Sequence, residues 1–356
     1  MKKKLALLLS LGLCVSTMTI TASADEEKTY KIGVCQLMEH DALDAAYNGF
    51  VEGLKEAGYE EGKNLEIDMN NAQGDQSNCA TIAAKLKNDG CDLVFAIATP
   101  AAQACANEIT DTPILISAVT DPAASGLVDS NEAPGANITG TSDLTPVASQ
   151  IEMIQKLVPD AKTVGVFYTS SETNSKLQAD MAIEAGEKLG YTMETYTVSQ
   201  SSEIQQVVES MVGKIDALYI PTDNLLASNM PTVSMVANQA KIPTICGESG
   251  MVENGGLITN GINYFDLGVL TGKQAAEILE GADPATMPIE YCPEDSYTYT
   301  VNEDTAAEIG IEIPGNSFRI PRRWKQKLPQ RPQKRPRLSL SLLQNKKTKS
   351  NIWRFT

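Results

Sequence analysis

Two kinds of stretch alternate along this chain. Short apolar runs such as Lys31–Leu37 (KIGVCQL), Asp92–Ile97 and Ile114–Val119 are separated by segments whose apolar residues recur every three or four positions. The first kind predicts buried strands and the second amphipathic helices. After strand Lys31–Leu37, Asp41 begins a helix with Leu43, Ala46, Phe50 and Leu54 on one face, and Gly58 ends it. Strand Asn64–Met69, the polar turn Asn71–Ser77, a helix over Cys79–Lys87 and strand Asp92–Ile97 follow. A small-residue helix with Ala101, Ala102 and Ala106 leads to strand Ile114–Val119, and Asn137–Thr141 (NITGT) leaves this first set.

From Pro146 the pattern starts again. It runs through helix Ile151–Leu157, strand Thr163–Tyr168 (TVGVFY), an alanine-rich helix, strand Thr192–Val198, helix Glu203–Met211 and strand Ala217–Ile220. A helix reaching Ala240, strands Thr244–Gly247 and Gly255–Ile262, and helix Phe265–Leu279 complete it. Two successive β-α-β-α-β runs predict an α/β protein of two Rossmann-like lobes, each a parallel sheet flanked by helices.

In such sheets the ligand crevice lies beyond the carboxyl ends of the strands. Here those ends carry hydroxyls, amides, prolines and a few carboxylates: Thr99-Pro100, Thr120-Asp121, Ser170-Ser171 with Asn174-Ser175, Thr222-Asp223-Asn224, and Glu248. Gln36, Glu39 and His40 follow the first strand. Thr120-Asp121 and Thr222-Asp223 form a matched pair, one in each lobe. A crevice lined in this way suits a small polar ligand, and N–H groups at helix starts can receive an anion. The same residues also read as helix caps and turn formers, and Glu39 and His40 as exposed loop, so the residues alone leave both readings open.

Composition changes this picture at the two ends. The 356 residues leave room for two domains of ordinary size. Lys2, Lys3 and Lys4 precede the apolar run Leu5–Val15, and Ala22-Ser23-Ala24 fits a signal-peptidase site. Residues 1–24 are therefore expected to be a signal peptide removed before Asp25, with the mature protein outside the cytoplasm. The apolar run is too short to span a bilayer. Cys14 offers an alternative as a lipid-modified anchor, although Leu13 is bulky for the position before such a cysteine. At the other end, all seven arginines and both tryptophans (Trp324 and Trp353) follow Gly315, where Asp and Glu are missing. Residues 25–315 hold 13 basic and 45 acidic residues, a net charge of −32, so the whole-chain −16 averages two unlike pieces. Residues 316–356 are expected to be foreign to the fold. A basic arm for nucleic acid or anionic lipid is the alternative, disfavoured by export and by the lack of helical periodicity.

Cysteine and histidine usage limits the chemistry further. Six cysteines remain after the signal segment: Cys35, Cys79, Cys91, Cys105, Cys246 and Cys292. An even count in an exported protein permits disulfides, but no C-x-x-C or other metal spacing is present. Cys35 and Cys91 lie at strands and read as small buried residues. His40 is the only histidine, so Ser–His or Cys–His catalysis would have to use it. The chain has no G-x-S-x-G, no G-x-G-x-x-G after the first strand and no Walker lysine motif. No catalytic residue, metal site or cofactor is expected.

Several motifs in order carry a family resemblance: NAQGDQSN (71–78), ATPAAQA (98–104), VTDPAASGLV (119–128), NITGTSDLTPV (137–147), YTSSETNS (168–175), PTDN (221–224) and VNEDTAAEIGIEIP (301–314). Over about Tyr30 to Pro314 the chain resembles the type I periplasmic-binding-protein fold. Within that fold it is similar to the ABC-transporter substrate-binding family that takes up aromatic amino acids such as tryptophan and tyrosine. The family ends soon after such an Ile-Pro, so the basic segment departs from it. The resemblance implies three crossings between lobes, near Asp143, Asn260 and Tyr291. This gives residues 25–143 with 261–290 as one lobe and 144–260 with 291–315 as the other. It implies a ligand held in the cleft between them, and an ABC permease with its ATPase as partners, the membrane being reached through these or an anchor at Cys14. The ligand-binding set is expected to be Gln36, Glu39, His40, Thr99, Pro100, Thr120, Asp121, Ser170, Ser171, Asn174, Ser175, Thr222, Asp223, Asn224 and Glu248. An α-ammonium would find a carboxylate in Asp121 or Asp223, and an α-carboxylate would find hydroxyls and helix-start amides at Thr99, Ser170, Ser171 and Ser175. A ligand-sensing domain that presents a small molecule to a membrane receptor is the alternative function, since the fold serves both.

Overall fold

The computed structural model describes residues 28–314. The signal segment with Cys14 and the basic segment from residue 316 lie outside the described residues. The first lobe is built from β1 (Tyr30–Gln36), α1 (Asp41–Glu56), β2 (Leu65–Asn71), α2 (Gln76–Asn88), β3 (Leu93–Ile97), α3 (Thr99–Glu108), β4 (Ile114–Val119) and β5 (Ile138–Ser142). The second follows with α4 (Val147–Leu157), β6 (Thr163–Thr169), α5 (Thr173–Lys188), β7 (Thr192–Val198), α6 (Ile204–Met211), β8 (Ala217–Ile220), α7 (Asn224–Ser228), α8 (Met230–Gln239), β9 (Thr244–Cys246), α9 (Ser249–Glu253) and β10 (Ile258–Gly261). The chain then returns through α10 (Tyr264–Leu279) and β11 (Glu290–Tyr291) to the first lobe, and the described residues finish in the second with β12 (Thr298–Val301) and α11 (Glu303–Ile309).

The sheet orders are β11-β5-β4-β3-β1-β2 and β12-β10-β9-β8-β6-β7. The same winding is used twice, with β1 between β2 and β3 and β6 between β7 and β8. The described pairs are parallel except β10 with β12. Central strands β3 (LVFAI) and β4 (ILISAV) are buried along their whole length, because helices cover both faces of the sheet. Edge strands β2 and β7 mix buried and exposed positions. The chain passes between the sheets three times: from β5 into α4, from β10 into α10, and from β11 to β12.

Local chemistry sets most boundaries. Leu43, Ala46, Phe50 and Leu54 of α1 are buried at helical spacing. Burial of Leu43, Phe50 and Leu54 contributes ~1.5–3 kcal/mol each. Phe50 also stacks on Phe95 of β3, with ring centroids 3.9 Å apart. The single helix expected to reach Ala240 is instead two, α7 and α8, broken at Asn229. Pro231 explains the break, since a proline is accommodated in the first turn of a new helix but not inside a continuing one. The strand expected from Gly255 begins only at Ile258, because Gly255 holds a φ of 109° outside the strand region. The six cysteines of the described residues are all buried, and the structure holds them as free thiols.

One packing feature was not anticipated. Helices α1 and α10 meet backbone to backbone through Gly49 and Gly53 on one and Gly268 and Gly272 on the other. A Cβ on Gly268 would lie 2.1 Å from the Ala46 carbonyl oxygen, and one on Gly49 would lie 2.0 Å from that of Phe265. This pair places the starts of two helices, at Asp41 and Tyr264, beside the carboxyl ends of the first sheet.

Candidate functional site

A narrow cavity lies between the lobes, where the carboxyl ends of strands from both sheets face each other. From the first lobe and its crossings it is lined by His40, Ala42, Leu43, Ala118, Asp143 and Tyr264. From the second it is lined by Asn174, Thr222, Asp223, Asn224, Ala227 and Glu248. His40 follows β1, Asp143 follows β5 directly, Asn174 opens α5 after β6, Thr222–Asn224 follow β8, and Glu248 follows β9. Bonds between the lobes accompany the cavity: His40 Nε2 to Asn224 Oδ1 at 3.2 Å, Gln178 Nε2 to Thr120 Oγ1 at 3.1 Å, and Asn254 Nδ2 to Asp41 Oδ2 at 2.7 Å.

The carboxylates of the second-lobe wall are occupied by their own loops. Asp223 caps α7: its Oδ1 accepts from the Leu226 amide (2.9 Å) and the Thr169 hydroxyl (2.8 Å), and its Oδ2 accepts from the Thr169 amide (2.6 Å). Glu172, a buried carboxylate beside them, accepts from the Leu225 amide (3.1 Å), the Asn224 amide (3.1 Å) and the side-chain amides of Asn224 (2.6 Å) and Asn174 (3.2 Å). Glu248 caps α9 through the Gly250 and Met251 amides. Burial, reinforced by the neighbouring Asp223 carboxylate, pushes the Glu172 pKa up to about 7, and burial, with smaller contributions from the Asp41 and Glu253 carboxylates, moves Glu248 to about 7.

The wall contributed by the first lobe and the crossings is different. Asp143 is 4% exposed; the Tyr264 hydroxyl donates to its Oδ2 at 2.7 Å, while its Oδ1 has no hydrogen-bond partner among the described residues. Burial raises its pKa, and the nearby Tyr264 and Thr120 hydroxyls oppose the rise. Burial lowers the pKa of His40, so the imidazole is held neutral. Asn224 gives its Nδ2 to Glu172, which leaves its Oδ1 as the acceptor facing His40. His40 Nε2 therefore carries the proton, and Nδ1 is a bare acceptor, again without a partner. Asn174 likewise spends its Nδ2 on Glu172 and the Thr222 carbonyl and leaves Oδ1 unpartnered.

Of the residues singled out from sequence, the structure brings His40, Asn174, Thr222, Asp223, Asn224 and Glu248 to the cavity lining. The others stand elsewhere. Asp121 is half-buried, and its Oδ1 accepts from the Ala124 amide and the Asn131 side chain at 3.1 Å each, so it braces its own turn. Ser170 and Ser171 are exposed, as is Glu39. Thr99 is buried at the start of α3 with an unpartnered hydroxyl, and Pro100 lines a separate groove between α2 and α3. Gln36 donates to Met38 O and Asp44 Oδ1, Thr120 joins the lobes through Gln178, and Ser175 is buried beside Asn174. Sequence reasoning missed Asp143 and Tyr264; Asp143 follows a buried strand, but one of sequence ITGTS rather than an apolar run like those before Asp121 and Asp223. It also missed the apolar lining of Ala42, Leu43, Ala118 and Ala227. Ala118 holds a φ of 55° at the end of β4 and Ala98 one of 81° before α3, left-handed conformations that cost ~1–3 kcal/mol each and cluster at ligand sites.

A model of the family described as "ABC transporter substrate binding protein" matches residues 31–323. The chain belongs to that family. The match runs past Asn316, into the segment set apart by its composition. Among characterised relatives, a tyrosine-binding protein of Clostridioides difficile (strain R20291) is 44% identical over 288 residues, 81% of this chain and 83% of that one. A Streptococcus pneumoniae ABC domain solved in complex with L-Trp is 42% identical, covers 81% of this chain and 97% of its own, and superposes with a TM-score of 0.78. The ligand-free, open structure of CD0873, a substrate-binding protein of Clostridium difficile, is 47% identical over 82% of this chain and 98% of its own, with a TM-score of 0.64. The more similar sequence thus superposes with the lower TM-score. More distant periplasmic binding proteins, near 14% identity, share the fold alone, which is the type I periplasmic-binding fold.

Proposed function

We propose that this protein is the extracytoplasmic solute-binding component of an ABC importer, and that it binds an aromatic amino acid in the interlobe cavity without changing it chemically. The observation that carries the reading is the cavity itself: it lies between the lobes, is lined by residues of both, and buries polar groups beside a short apolar lining. The L-Trp bound to the pneumococcal relative and the tyrosine-binding name of the clostridial one support the ligand class. Ala42, Leu43, Ala118 and Ala227 would face the ligand's side chain. Binding and closure couple as in other hinged proteins: the closed form is favoured by contacts that only a bound ligand completes. Delivery would be to a membrane permease with its ATPase. Export by the signal segment 1–24, with or without lipidation at Cys14, belongs to the same reading. So do the assignment of residues 25–143 with 261–290 and 144–260 with 291–315 to two lobes, and the absence of a nucleic-acid role. Among the described residues no helix is long and apolar enough to cross a membrane.

Titration calorimetry on protein stripped of co-purified ligand, with tryptophan, tyrosine, phenylalanine and leucine, tests it. At least one aromatic amino acid should bind reversibly, tighter than leucine, and be recovered unaltered by mass spectrometry. If none of the four binds, the ligand class is wrong; if the recovered ligand is altered, the non-enzymatic reading is wrong.

A further inference from the structure

We infer that the ligand's α-ammonium is held by Asp143 Oδ1 together with His40 Nδ1 and Asn174 Oδ1, and not by Asp121 or Asp223. The inference rests on the amino-acid reading of the cavity and assigns the group that recognises its amine. Three residues that line the cavity each bury one polar side-chain atom without a hydrogen-bond partner among the described residues: His40 Nδ1, Asp143 Oδ1 and Asn174 Oδ1. All three are acceptors. The imidazole proton is committed to Asn224, the Asn174 amide hydrogens are committed to Glu172 and Thr222, and Asp143 keeps one oxygen for Tyr264. Buried polar atoms left without partners are costly and call for an occupant. A set of three acceptors, one of them carrying charge, fits a primary ammonium, which has three N–H donors and one positive charge.

The rival carboxylates lack an opening. Both oxygens of Asp223 are taken by amide or hydroxyl donors of its own lobe, and Asp121 is spent on its turn and is not among the residues lining the cavity. The location of Asp143 adds a consequence. It sits in the first crossing between lobes, Tyr264 follows the second, and their hydrogen bond ties the two connections together. Asn174 belongs to the second lobe and His40 to the first. An ammonium in this position is therefore grasped from both sides and at the hinge, so a ligand without an amine leaves the closed form with buried acceptors unmet.

The test pairs each amino acid with its deamino analogue: L-tyrosine with 3-(4-hydroxyphenyl)propionate, and L-tryptophan with indole-3-propionate. Calorimetry is run on wild type and Asp143→Asn, with Asp143→Ser as a second variant that keeps a hydroxyl opposite Tyr264. Wild type should favour the amino acid over its analogue. Asp143→Asn should weaken amino-acid binding roughly 10- to 150-fold, as loss of a charge-assisted hydrogen bond does, and leave the analogue's affinity unchanged or higher, so that the preference collapses. A variant that weakens both members of a pair equally, or neither, overturns the assignment while the amino-acid reading stands. Wild type that binds neither amino acid overturns that reading and this assignment with it.

Discussion

Two buried carboxylates face the same cavity and live in opposite states. Asp223, in the second lobe, gives its oxygens to the Leu226 and Thr169 amides and the Thr169 hydroxyl. Asp143, in the first crossing, gives one oxygen to Tyr264 and leaves the other open. Burial raises the pKa of both, so neither state is set by solvent exposure. The difference lies in what the backbone presents. Asp223 precedes a helix start, whose free N–H groups draw its carboxylate in, whereas Asp143 follows a strand into a connection with no helix start to cap. Here the acid at a helix start builds its loop, and the acid in the crossing keeps one oxygen open. The contrast is sharpest in stability. Asp223→Ala strands two buried backbone N–H groups at ~1–3 kcal/mol each, so unfolding free energy should fall by about 3 kcal/mol or more. Asp143→Asn keeps an acceptor for Tyr264 and removes a buried charge with an unmet oxygen, so stability should change by less than about 1 kcal/mol. Thermal or urea unfolding of the ligand-free variants compares them directly, and equal losses would erase the distinction.

A second way to press on the open wall is to move it without touching it. His40, Ala42 and Leu43 stand at the start of α1, and Tyr264 stands at the start of α10, so the spacing of these two helices fixes the first-lobe side of the cavity. That spacing depends on glycines in backbone contact. Gly268→Ala inserts a methyl 2.1 Å from the Ala46 carbonyl oxygen, a contact that only separation of the helices can relieve. Overpacking of this kind costs ~1–3 kcal/mol. Because the displaced helix ends carry cavity residues, ligand affinity should fall along with the melting temperature. An alanine that leaves both unchanged would mean that the helix pair has slack and does not set the cavity.

How far the sequence reached can be judged on the same residues. Apolar strands such as LVFAI and ILISAV, and helix faces such as Leu43–Phe50–Leu54, read directly, because burial on both faces of a sheet or one face of a helix leaves a periodic trace. Strand-end loops read as a ligand region for the same reason, since the winding fixes which end of the sheet is the crevice. Individual roles did not. Thr120-Asp121 and Thr222-Asp223 are identical dipeptides after similar strands, yet the first aspartate braces a surface turn and the second is buried at the cavity. Only their neighbours, Thr169 from β6 beside Asp223 and Asn131 from farther along the same β4–β5 connection beside Asp121, separate the two. Asp143 was visible as a crossing point but not as a chemical group, because its significance depends on an oxygen having no partner. The glycines of α1 and α10 carry spacing of four on each helix, Gly49 to Gly53 and Gly268 to Gly272, a signal that apolar periodicity does not weigh.

The gentlest probe of the contrast is acidity. Asp143 must be ionised to hold an ammonium, and burial raises its pKa in the ligand-free protein. A bound ammonium favours the ionised form, so the ligand lowers this pKa, and by linkage protonation of Asp143 opposes binding. Affinity should therefore be full at pH values above the free-protein pKa of Asp143 and fall as pH drops through it, with a limiting slope of about tenfold per pH unit. Because that pKa is raised, the decline should begin above the ordinary carboxylate range, while the ligand's amine remains charged throughout. Other titratable groups surround the site. His40, whose pKa burial lowers, would become cationic on acidification and repel the amine in the same direction. Glu172 and Glu248, raised to about 7, would gain protons over neutral to mildly acidic pH while keeping their places within the second-lobe wall. Tyr264, raised well above its usual value by burial and the neighbouring carboxylates, stays protonated. Asp143→Asn separates these contributions. Its amino-acid affinity, already lower, should lose the part of the pH dependence that belongs to Asp143 and keep only the part due to His40, the two glutamates and Asp223, whose pKa burial also raises. Calorimetry of wild type and variant across mildly acidic pH, with L-tyrosine or L-tryptophan as ligand, measures the difference between the two slopes. Parallel slopes would mean that the open oxygen of Asp143 does not meet the amine.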